Sequence, residues 1–107
     1  MKVTQYEVFI VNLDPTVGSE IQQTRPCVVI SPDEMNRNLQ TVVIVPVTSQ
    51  SRPYPTRVKI NIEGKENWAV IDQIRTIDMS RLIKSIGFLN KNEIAGIKSV
   101  LKETFVD

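Results

Sequence analysis

The chain of 107 residues is 41% hydrophobic and 23% charged, with a net charge of +1, as expected of one ordinary globular domain. No apolar run approaches the ~18 residues a membrane span needs. Met1 to Gln5 does not open a signal peptide, and the lone Cys27 excludes an intrachain disulfide. These features predict one cytoplasmic domain over residues 1–107, with no membrane association. With no histidine and no cysteine cluster, neither a metal site nor a cofactor is expected.

Charge is uneven along the chain. Residues 1–36 hold two cations against five acids, and residues 37–102 hold eleven against five, a balance of +6. An anionic partner is one explanation. Ordinary solvated faces are the other.

Tyr6–Leu13 (YEVFIVNL) is rich in β-branched and aromatic residues and reads as a strand, stopped by Asp14-Pro15. Residues 14–24 form a polar loop around Gly18. Arg25–Ser31 (RPCVVIS) is a second strand, with Pro26 near its start, where a missing donor is tolerated. Pro32–Leu39 is short and polar, with room for one helical turn. Thr41–Thr48 (TVVIVPVT) is nearly all apolar, which suits a strand buried on both faces, and Pro46 implies a bulge or a sheet edge there. A loop follows over Ser49–Pro55. Thr56–Ile62 alternates, with Arg57, Lys59 and Asn61 on one face and Val58, Ile60 and Ile62 on the other. Glu63-Gly64-Lys65 is a tight turn. Trp68–Ile74 (WAVIDQI) reads as another strand, and Ile83–Leu89 contains a short one. Asn90–Thr104 is a helix with a capping box, Asn90 to Glu93. Its apolar stripe is Ile94, Ile97, Val100, Leu101 and Thr104, and Lys98 and Lys102 lie toward its carboxyl end. Five or six short strands with a terminal helix predict a mainly β fold, a bent antiparallel sheet or partial barrel with the helix packed on it.

Several polar residues stand where chemistry is possible. Arg25 leaves the loop at the mouth of a buried strand, and its planar guanidinium suits phosphate. Alternatively, it pins the loop through a carboxylate such as Glu20. Glu20 itself is either a base or orienting group, or a surface carboxylate. Thr48 and Ser49 end the buried strand, where they bond phosphate oxygens or cap the next turn. Tyr54 and Trp68 are stacking candidates, though a tryptophan in such a strand also suits a core or interface. Arg57 and Lys59 lie on an exposed strand face that can track phosphates. Asp72, Gln73, Arg75 and Asp78 form a polar run after an apolar strand.

Taken in order, DPTVGSEIQQTRP, VVIS, VPVTSQ and DQIRTID, then Arg81-Leu82 and an acidic-start helix, resemble the MazF/PemK (Kid-like) toxins of bacterial toxin–antitoxin systems. The resemblance spans roughly residues 6–104. It implies an SH3-like (CcdB/PemK-like) barrel with a carboxyl-terminal helix. It also implies a homodimeric mRNA interferase that cleaves single-stranded RNA at short sequences without metal. Its expected partner is a cognate antitoxin that lays an extended acidic tail across the dimer. Carried over by motif, Arg25 is catalytic, Glu20 is implicated in activity and Thr48 contacts the scissile phosphate. Thr24, Ser49, Gln50, Tyr54, Arg57, Gln73, Arg75 and Asp78 are the expected substrate-binding residues. Base recognition is expected in loops 14–24, 49–56 and 63–67.

There are departures from the pattern. Tyr6-Glu7 stands where many members have Gly-Asp, and the first loop lacks the histidine some members use. Two other readings come from other classes. A CcdB-like gyrase-binding toxin would depend on a terminal Trp-Gly-Ile, whereas this chain has Phe105-Val106-Asp107. A non-catalytic nucleic-acid-binding barrel is the other.

Overall fold

The computed structural model describes residues 1–50 and 53–107. Its strands are β1 (Glu7–Asn12), β2 (Thr24–Val29), β3 (Thr41–Thr48), β4 (Arg57–Ile62), β5 (Lys65–Val70), β6 (Arg75–Asp78) and β7 (Leu82–Phe88). They form one seven-stranded antiparallel sheet in the order β4-β5-β3-β2-β1-β7, and β6 pairs with β3. Two register irregularities between β1 and β7 add the local twist that lets such a sheet curl. The fold is therefore the mainly β, curled antiparallel architecture expected, with the helix after the last strand.

Both faces of the central strands are buried, as the apolar run in β3 requires. Phe9, Val11, Cys27, Val29, Val42 and Ile44 pack on one face. Val8, Val28, Val45, Val47, Ile60 and Ala69 pack on the other, beneath α2 (Lys91–Phe105). In α2, Ile97 is fully buried, and fully burying a side chain of that size is worth about 1.5–3 kcal/mol. Asn90 and Glu93 close the predicted capping box. Thr104, placed on the apolar stripe by spacing, is exposed instead. Gly96 lets the helix approach β4, since a Cβ there would meet Val58 at 3.2 Å. The β4–β5 turn has positive φ at both Glu63 (52°) and Gly64 (81°), the two-residue hairpin turn that matches strand twist.

The strand expected over Trp68–Ile74 ends at Val70, where β5 gives way to a 3-10 turn, Ile71–Gln73, and the next strand, β6, begins only at Arg75. Pro46 explains the break. Ile30 N–H donates to the Val43 carbonyl at 2.9 Å, so alternate residues Val43, Val45 and Val47 face β2, and Pro46 faces the opposite edge. Along that edge β6 pairs with Thr41–Ile44 and β5 with Val47 and Thr48. A proline has no donor to continue a ladder, and the partner chain loops out opposite it. The predicted bulge thus appears on the neighbouring strand.

α1 (Asp33–Asn38) is the short helical turn expected after Pro32. Buried Asn36 holds it down. The Ser31 hydroxyl donates to Asn36 Oδ1 at 2.6 Å, and Asn36 Nδ2 donates to the Ser31 carbonyl at 3.0 Å. Among the described residues, no helix is long and apolar enough to cross a membrane.

Candidate active site

The site grows from two prolines. Alternation along β2 turns Cys27 and Val29 toward β1 and turns Val28 and Ile30 toward β3, so Pro26 faces β3 without a donor. The β2–β3 ladder stops at Cys27 opposite Pro46. Continued by the same register, Arg25 falls opposite Thr48, just outside the ladder. Both project from the face that carries Cys27 and Ile44.

Arg25 is half-buried, and its Nε donates to the Gln22 carbonyl at 2.9 Å. Among the described residues, no carboxylate lies within ion-pairing distance of it. The loop-pinning pair with Glu20 that the sequence allowed is not formed. Glu20 Oε1 instead accepts the Val17 N–H of its own loop at 2.6 Å.

The loop before Arg25 is held from outside. Gln73 Oε1 accepts the Ile21 N–H at 2.6 Å, and its Nε2 donates to the Ser19 carbonyl at 3.4 Å. Gln73 reaches the loop because the turn opposite Pro46 lifts it off the sheet edge. Arg75 donates to the Leu13 carbonyl at 3.3 Å, and Arg81 donates to the Asn12 and Asp14 carbonyls at 3.1 and 2.5 Å. Between loop and turn lies a cleft of about 480 Å³, lined by Ser19, Glu20, Pro46, Asp72, Gln73 and Arg75. A larger hollow of about 670 Å³ lies elsewhere, beside α1 and Met79, and holds none of the expected site residues.

Two guanidiniums act on this face. Burial pushes the Cys27 thiol up to about 12, against the opposing pull of Arg25 and Arg75. The two cations therefore stand near one sulfur. Both cations are carried on strands, Arg25 near the start of β2 and Arg75 at the start of β6.

The remaining expected residues divide. The Thr48 hydroxyl accepts the Gln50 N–H at 3.2 Å and donates to the Gln50 carbonyl at 3.3 Å. This is the turn-capping role, at a half-buried rim position beside exposed Ser49 and Gln50. Thr24 is exposed at the start of β2, opposite Asn12. Arg57 forms an ion pair with Asp72, and its guanidinium lies 6.0 Å from the ring of exposed Tyr54. Asp78 pairs with Thr41 at the far end of β3 from Thr48, about 20 Å away at the usual strand rise. There its carboxylate accepts the Ser80 N–H, and its pKa is lowered, first by the Ser80 side chain and then by that N–H. The polar run Asp72 to Asp78 is therefore not one cluster in space. Part of the expected recognition loop 49–56, residues 51 and 52, lies outside the described residues.

The fold is that of a small curled-sheet protein with two guanidiniums on one face. The family model of the PemK-like, MazF-like toxins of type II toxin–antitoxin systems matches residues 4–105, and the chain belongs to that family. Endoribonuclease EndoA of Bacillus subtilis is 35% identical over 108 residues, covering 95% of this chain and 93% of that protein. MazF from Deinococcus radiodurans superposes with a TM-score of 0.86 at 24% identity, covering 96% of each chain. An endoribonuclease from a mycobacterial species, solved with its cognate antitoxin, superposes with a TM-score of 0.80 at 20% identity, covering 94% of this chain and 92% of that one.

Proposed function

We propose that this toxin is an endoribonuclease that cuts single-stranded RNA at the Arg25 face, by attack of the substrate's own 2′-hydroxyl. One observation carries the assignment. Arg25 stands half-buried opposite Thr48 at the open end of a proline-ended ladder, with no carboxylate neutralising it among the described residues. The activity is that of the curated relative named above.

In the reaction the 2′-oxygen bonds to phosphorus, and the bond from phosphorus to the 5′-oxygen breaks. The 2′-proton goes to a base, and a proton goes to the departing 5′-oxygen. The products are a 2′,3′-cyclic phosphate and a 5′-hydroxyl. DNA lacks the attacking group, so the chemistry selects RNA. Arg25 stabilises the negative charge that builds on the phosphorane, as preorganised cations do. The Thr48 hydroxyl turns from Gln50 to donate to a phosphate oxygen. Glu20 takes the 2′-proton on Oε2, while Val17 holds Oε1. Arg25 stays protonated, because its pKa exceeds ~12, so the leaving oxygen takes its proton through water. Arg75, on the same face, adds positive charge beside Cys27.

The toxin works as one domain over residues 1–107, in the cytoplasm, as a homodimer. A cognate antitoxin inhibits it, as the family's membership of toxin–antitoxin systems supports. The test is a defined RNA incubated with chelator and either wild type or Arg25→Ala, with the cleavage ends mapped. Wild-type cleavage with cyclic-phosphate ends, lost in Arg25→Ala, is expected. Wild-type protein that binds RNA and leaves it intact would sink the nuclease reading.

A further inference from the structure

The strand pairings extend the site in a direction the polar motifs do not mark. Thr48 is the register partner of Trp68, and Trp68 is the partner of Lys59. Thr48, Trp68 and Lys59 thus form one transverse row across β3, β5 and β4, and Arg25 falls at its β2 end when the β2–β3 register is continued past Cys27. Neighbouring paired strands lie about 4.8 Å apart, so Thr48 to Lys59 spans about 10 Å. Its members share a face. Their neighbours Val47, Ala69, Val58 and Ile60 all point the other way, into the core beneath α2.

Trp68 is half-buried and Lys59 is exposed. The Lys59 ammonium sits 5.5 Å from the Trp68 ring centroid and 3.5 Å from Glu66. The ring face is covered only by an exposed, movable ammonium, so a flat ligand reaches it once Lys59 swings away.

We propose that Trp68 and Lys59 form a nucleotide subsite next to the scissile phosphate: a base of the single-stranded RNA stacks on the indole, and Lys59 leaves the ring for that nucleotide's phosphate. The subsite rests on the reading of the Arg25 face as the cleavage site. Stacking on an aromatic face tolerates any base, so the row supplies affinity and register and leaves sequence choice to the loops. An acidic protein tail would satisfy Lys59 but offers the indole a flat group only where it carries an aromatic residue, whereas every nucleotide carries one, which favours the nucleic acid.

Trp68 is the sole tryptophan, so its emission reports this site alone. The probe is a mixed-sequence single-stranded DNA, which lacks the 2′-hydroxyl and binds without being cut. Binding should quench Trp68 emission in step with the anisotropy of a labelled strand. An abasic strand and polyglutamate should bind without quenching. Trp68→Leu should weaken binding about tenfold, a typical loss for one stacked base, and Trp68→Phe should recover most of it. Lys59→Met should lower the salt slope by about 0.7.

Saturated binding with no change in emission overturns the subsite, as does equal quenching by the abasic strand. Quenching by polyglutamate alone assigns the face to an acidic protein. Because the readout needs no cleavage, it stands apart from the site assignment. Cleavage that survives Arg25→Ala would overturn that assignment and leave the emission result readable.

Discussion

The Gln73 carboxamide grips the backbone of Ile21, accepting its N–H at 2.6 Å across 52 positions of sequence. This bond links the turn that Pro46 forces out of the sheet edge to the loop that delivers Arg25. Gln73→Ala removes both bonds to the loop, and a part-buried hydrogen bond of this kind is worth about 1 kcal/mol or more. Amide exchange at Ile21 should speed up, and kcat/KM should fall about tenfold. Unchanged exchange at Ile21 would show that the bond does not order the loop.

Arg25 can be removed with little effect on the fold. Its one side-chain bond among the described residues goes to the Gln22 carbonyl, and a change that touches no core packing, cap or ion pair usually stays within about 0.5 kcal/mol. Arg25→Ala should keep Tm within about 4 °C while cleavage falls about 100- to 1,000-fold. Arg25→Lys should recover only part of the rate, because a point charge replaces a planar fork. Thermal melts and single-turnover cleavage, run side by side, separate the two effects.

Thr48 contributes a hydroxyl at a position whose shape valine reproduces. Thr48→Val should cost about 10- to 100-fold in cleavage, as for one hydrogen bond to a charged group. Thr48→Ser should retain most of the rate. Equal loss in both variants would point to packing of the threonine methyl rather than to phosphate contact.

Cys27 gives an alkaline prediction. Its thiol is raised from 9.0 to about 12 by burial, so the fold favours the neutral form. That contribution is fully present below pH 9.0 and is lost as pH rises toward about 12. Denaturant unfolding across this window should show wild type losing more stability than Cys27→Val. Iodoacetamide should leave the native thiol unlabelled at mildly alkaline pH and label it once the chain is unfolded. Rapid native labelling would contradict the burial.

The α2 cap is a stability test remote from the site. Asn90 accepts the Glu93 N–H at 2.8 Å, and Glu93 accepts the Asn90 N–H at 2.9 Å. Asn90→Ala should cost about 1 kcal/mol, near 4 °C in Tm, with kcat and KM unchanged.

Local chemistry in the sequence determined a good deal. The Asn90–Glu93 box marked the helix start, and the alternation of Arg57 to Ile62 marked β4 and its buried face. The run in β3 announced burial on both sides. Motif order pointed to the family and to Arg25. Such features depend on residues a few positions apart, and spacing alone reveals them.

Only the tertiary structure decided which residues meet. Thr48, Trp68 and Lys59 share a row, and the continued β2–β3 register brings Arg25 to its end, because of strand register, which no local pattern encodes. The single strand expected over Trp68–Ile74 breaks because a proline on a different strand withholds a donor. Glu20 bonds within its own loop, and among the described residues Arg25 has no ion pair, an outcome of loop geometry. Asp78 is close to Arg75 in sequence, yet β6 carries it to the far end of β3. Pairing acts at long sequence separation, and it fixed which of the legible residues share a site.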